Sequence, residues 1–132
     1  MTDREQQVVP LHPQGSVEDV QLPHEQLDVY SVLEEAYRTA ITWQGVSWSR
    51  GTTGDQLKRA ASSAVLRYTE GYYADGGNKV TLWKGARASC GEAAAAVQLL
   101  AIDGSVPTAQ AAHVRALLAR GMRMLARLLQ PL

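Results

Sequence analysis

Between Leu57 and Glu92 the chain carries two helical patterns in a row, each with a narrow face of Ala, Ser and Gly. Asp75-Gly76-Gly77-Asn78 separates them and reads as the turn that joins them. Small residues let two helix backbones approach closely, so this pair is expected to be the tightest contact of the fold. In the first pattern Leu57, Ala60, Ala61, Ala64 and Tyr68 share one face. In the second, Val80, Trp83, Arg87, Cys90, Ala94, Val97 and Ala101 mark a stripe, and Ala93–Ala96 is the strongest helix-forming run in the chain. That run is apolar all round, which implies burial on more than one side and so a subunit interface beside the core.

The flanking segments extend the pattern to four helices. Leu27, Tyr30, Leu33 or Glu34, Tyr37 and Ile41 follow a three-and-four spacing, predicting a first helix from about Glu25 to Trp43. The second is predicted from about Thr53, with Thr53 or Asp55 as its cap, to Tyr73. The third runs from about Asn78 to Ile102. The fourth starts after Pro107-Thr108 and reaches about Gln130, where Pro131 ends it. The loop Gly45–Gly54, with Trp48 and Arg50, reads as a lid folded over the end of the bundle. Residues 1–24 hold three prolines and show no period, so they read as a mobile tail, with His12 and His24 exposed to solvent. The expected fold is all-α: an antiparallel up-down-up-down four-helix bundle over residues 25–132 with a disordered N-terminal tail.

Composition narrows the function classes. The chain has 132 residues, enough for one domain with a real core. Cys90 is the sole cysteine, which excludes an internal disulfide and a cysteine-based zinc site and fits a reducing cytoplasm. It reads as a buried, small apolar side chain. No apolar run approaches the roughly 20 residues a membrane span needs, and the start lacks the pattern of a secretion signal. Net charge is zero, but residues 1–35 carry one base and eight acids, whereas residues 36–132 carry twelve bases and five acids. Two readings stay open: an acidic first helix beside a basic last helix, or an acidic tail on an anion-binding body.

The residues that could carry chemistry are few. Ser63 and Ser89 have no histidine at a useful spacing and no nucleophile turn around them, so they read as small interhelix residues satisfying a local carbonyl. Glu70 and Glu92 read as a buried polar network with Arg59, Arg67 or Arg87. Di-iron bundles need Glu-x-x-His pairs on facing helices, and the chain has none. His113 reads as a surface residue. Gly76-Gly77-Asn78-Lys79 lacks the spacing of a phosphate-binding loop. No catalytic residue, metal site or cofactor is expected. At about 100° per residue, Arg120, Arg123 and Arg127 form a stripe on helix four apart from its leucines, with Arg115 nearby. This stripe is the candidate for phosphate binding, extended by Lys58, Arg59, Lys79 and Lys84. The competing reading is ion pairing with Asp28, Glu34 or Glu35 of a neighbouring subunit.

Several motifs together resemble the four-helix-bundle family first noticed in intervening sequences of bacterial 23S rRNA genes. Leu27-Asp28-Val29-Tyr30 is similar to the family's opening of helix one, and Gln56-Leu57-Lys58-Arg59-Ala60-Ala61 with Ser63 to its start of helix two. Glu70-Gly71-Tyr72 matches its Glu-Gly-aromatic ending, and Ala86-Arg87-Ala88-Ser89 with Glu92 its helix-three motif. Arg67 and Ala88 stand where the family usually has Asn and Gly. The resemblance spans roughly residues 25–130. It implies an antiparallel bundle assembled as a ring-like homo-oligomer, a pentamer in relatives. One related group, the accessory protein of diversity-generating retroelements, implies a reverse transcriptase and RNA or DNA as partners. The chain is therefore expected to be a non-enzymatic assembly or adaptor protein, or a nucleic-acid-binding accessory protein, in the cytoplasm.

Overall fold

The computed structural model describes residues 20–131, and those residues form four α-helices preceded by one short 3-10 turn, with no strand among them. The turn spans Pro23–Gln26; α1 spans Asp28–Ala40, α2 Thr53–Tyr72, α3 Gly76–Ile102 and α4 Thr108–Leu128. Each helix packs on its neighbours in sequence, and α4 closes back on α1. The result is an antiparallel four-helix bundle, as the residue spacings predict. The contact between α2 and α3 is the most extensive. Expectations for residues 1–19, His12 included, fall outside the described residues.

Local chemistry sets the helix ends. Thr52, not Thr53 or Asp55, caps α2: its hydroxyl accepts the Asp55 N–H at 3.2 Å. Asp55 reaches back to accept the Gly51 N–H at 3.0 Å. One donor of the first turn and one of the loop just before it are thus satisfied. α1 is shorter than its apolar spacing suggests, at 13 residues. Leu27 is extended (φ −84°, ψ 143°) and breaks the helix from the 3-10 turn before it. At the other end Trp43 leaves the helix and turns into the core.

The lid expected over one end of the bundle is present. Trp43 and Val46 are buried, and Trp48 is half-buried against them with its indole N–H donating to the Trp43 carbonyl at 3.4 Å. Two glycines let the loop lie flush. A Cβ on Gly54 would collide with the Ser47 carbonyl, and one on Gly45 with the Ser105 carbonyl. Along the middle, Tyr68, Ala86, Cys90, Ala93, Val97 and Leu125 are fully enclosed. α4 approaches α1 at Gly121, where a Cβ would stand 2.7 Å from the Leu33 side chain.

Candidate functional site

The motif residues of α2 and α3 converge on one seam, and the seam is built by fit rather than by charge. Ser89 donates to Ser63 across it at 3.1 Å, so the two hydroxyls pair with each other instead of with a local carbonyl. One turn along, the side chain of Arg67 lies over Gly85: a Cβ there would stand 2.5 Å from Nη1 and 3.2 Å from Cδ. One turn further, Gly71 makes room for Trp83, whose ring would be 2.5 Å from a Cβ at that position. The Trp83 indole N–H donates to the Tyr68 carbonyl at 3.0 Å. Glu70 and Glu92 face solvent, which overturns the expectation of a buried carboxylate network. Both lie on the outer sides of their helices, where water solvates the charge and no partner is required.

Sequence reasoning missed the far end of this seam. His24, expected in solvent, is 6% exposed. Its ring meets Tyr30, Tyr72 and Tyr73 edge-on, with centroids 5.2, 6.4 and 5.5 Å away. Its Nδ1 lies 3.0 Å from the Tyr73 hydroxyl, and its carbonyl accepts the Tyr68 hydroxyl at 2.7 Å. The buried Tyr68 phenol needs an acceptor, and the turn at Pro23 delivers one. Lys79 closes the cluster, with Nζ 4.9 Å from the Trp83 centroid and 3.2 Å from the Tyr72 carbonyl it donates to. The run of aromatics at Tyr68, Tyr72 and Tyr73 is the one signal in the sequence that something apolar must cover that end.

The basic candidates do not form one face. Arg115, Arg120, Arg123 and Arg127 are all exposed on the surface of α4. Lys58 and Arg59 are exposed on α2, which occupies the corner diagonal to α4, and Arg59 is engaged by Asp55 at 3.2 Å. They therefore do not extend the α4 stripe. Arg120 and Arg127 turn toward α1. Arg120 shares a groove of about 380 Å3 with Asp28 and Glu35, and Arg127 shares one of about 230 Å3 with Asp28 and Leu27. The acidic first helix thus lies beside the basic last one. No ion pair joins them among the described residues, so the attraction is a diffuse one through solvent.

The titratable groups with displaced protons serve the fold. Burial pushes the Cys90 thiol up to about 12, so it stays protonated and unreactive. Burial, with Tyr72 and Tyr73 alongside, raises Tyr68 to about 12 as well. Asp55 is held below the usual carboxylate range chiefly by the Gly51 N–H, and Asp103 chiefly by the Ser105 hydroxyl. Both are local loop contacts. Among the described residues no three His, Cys, Asp or Glu side chains gather as metal ligands would. No helix there is long and apolar enough to cross a membrane.

The class that these features define is a close-packed antiparallel helical bundle, and structural comparison agrees at the level of fold. The chain is similar to a crystal structure of a protein of unknown function from the S23 ribosomal protein family of Bacteroides thetaiotaomicron VPI-5482. The TM-score is 0.69 over 78% of this chain and 99% of the other, at 14% identity. That identity establishes the shared fold alone. No family model matches the sequence, and no curated protein matches it.

Proposed function

We propose that this chain is a non-enzymatic, homo-oligomeric helical bundle of the 23S intervening-sequence type, acting in the cytoplasm as an assembly or adaptor module. A ring, pentameric by the resemblance in its motifs, is the assembly it would form. The observation that carries this reading is the outer face of α3, which presents Leu99 at 55% exposure and Ile102 at 71%. Two large apolar side chains open to water on adjacent turns of one helix face supply a surface that a neighbouring copy could cover. Multi-angle light scattering at micromolar concentration is the test. A mass of several chains is expected, and a monomer overturns the reading.

A second reading rests on a separate observation. Arg120, Arg123 and Arg127 line the surface of α4 and make no ion pair among the described residues. They suit phosphate contacts by an accessory protein that partners a reverse transcriptase or another nucleic-acid enzyme. Binding of RNA or DNA at low ionic strength tests it, and absence of binding there overturns it.

A further inference from the structure

A second apolar feature lies away from the α3 face. Between α1 and α2 runs a groove of about 240 Å3, walled by Tyr30, Tyr37, Val65 and Leu66 and edged by Ser62 and Glu34. Its polar edge is already satisfied. The Tyr30 hydroxyl donates to Glu34 at 3.2 Å, and Glu34 pairs with Arg38 at 3.1 Å. Leu66 on its wall is 64% exposed, in the second half of α2. The groove is therefore concave, apolar and open. On α3, Ala95, Leu99 and Ile102 recur at spacings of four and three residues, so they line up as a convex ridge on the outer face.

The two features cannot meet within one chain. α3 packs on α2 and α4, and the ridge points away from both. We infer that the ridge of one copy seats in the α1–α2 groove of the next, forming a head-to-tail contact between copies. This rests on the self-assembly reading and names the surfaces that would carry it. A contact between two different patches repeats from copy to copy and closes into a ring when the rotation allows.

Charge suits one direction of this contact. In a ring whose bundles stand parallel, α3 of one copy runs antiparallel to α2 of the next. Ile102 entering beside Ser62 then carries Asp103 and the carbonyl end of α3 toward Lys58 and Arg59, near the start of α2. That end of a helix is its negative pole, and basic side chains suit it. Lys58, stranded from the α4 arginines, acquires a role in this contact, while Arg59 beside it is already paired with Asp55. Ser62 is small enough to leave room for the incoming Ile102.

The test uses two variants, Leu66→Asp in the groove and Ile102→Asp on the ridge. Both positions face solvent, and circular dichroism should show unchanged helicity. Each variant alone is expected to be a monomer under conditions where the wild-type chain is an oligomer. An equimolar mixture of the two should form particles of two chains and nothing larger, because one variant keeps a sound ridge and the other a sound groove. An oligomeric wild type with either variant still at wild-type mass overturns the interface and leaves the assembly reading standing. A mixture that stays monomeric also overturns it. A wild type that is itself monomeric overturns the assembly reading.

Discussion

Gly71 holds more of the architecture than its size suggests. It admits the Trp83 ring, and that ring donates to the Tyr68 carbonyl. Gly71→Ala forces the indole aside and strains this bond. Overpacking of this kind costs about 1–3 kcal/mol. Urea denaturation should show that loss, with a change in tryptophan emission at low denaturant. An unchanged midpoint would mean the ring moves freely and the fit is loose. The Glu-Gly-aromatic motif thus marks a packing requirement, which is why it is legible in the sequence: a glycine inside a helix needs a reason. His24 is not legible in the same way. Its neighbours Pro23 and Glu25 promise a polar turn, and Tyr30 on α1 together with Tyr68, Tyr72 and Tyr73, more than forty residues away, draws it inward.

At the level of elements, three-and-four spacing locates α1, α2 and α4, because a bundle helix is amphipathic for the same reason it is stable. α3 is apolar on more than one side, so its spacing does not single out the buried face: Val80 of the expected stripe is exposed, and Ala86, Ala93 and Leu100 beside it are enclosed. Helix ends are less legible. Leu27 continues the apolar period of α1, yet it is extended, since the turn at Pro23 must fold back across the aromatic cluster. Composition groups Lys58 and Arg59 with the α4 arginines, and only the order of helices around the bundle separates them. For α4 this isolates the stripe. Replacing Arg120, Arg123 and Arg127 by Ala should weaken any nucleic-acid binding at every sequence. The salt slope should drop by about one for each phosphate that is no longer neutralised. Fold stability should change little, because none of the three guanidinium groups is held by an ion pair among the described residues. Binding that survives the triple change would place the phosphate contacts elsewhere.

Over the whole molecule, two buried protons link stability to alkaline pH. Cys90 and Tyr68 are both raised to about 12, from ordinary values of 9.0 and 10.0. The folded chain keeps these protons to higher pH than the unfolded one does. Their contribution is complete below the ordinary values and is lost as pH rises through them toward about 12. The urea midpoint should therefore fall between neutral pH and about pH 11, and Cys90→Ala should fall less steeply. A thiol reagent should label Cys90 only on unfolding, and rapid labelling of the native chain would contradict its burial. At acid pH the depressed carboxyls of Asp55 and Asp103 act in the opposite sense, and what they contribute disappears as pH falls through the carboxylate range.

The bundle also has two unlike ends. Val20 leads into the turn on His24 beside the close of α2, and Leu128 finishes α4 next to Leu27 and Asp28. The tryptophan lid seals the other end. An even number of helices thus sends both described ends of the chain out on the same side. A fluorescent protein fused at either end of α1–α4 would sit over the aromatic cluster around His24 and leave the lid bare. In a ring of parallel copies all such fusions would crown one rim, giving the particle a top and a bottom that a microscope can tell apart.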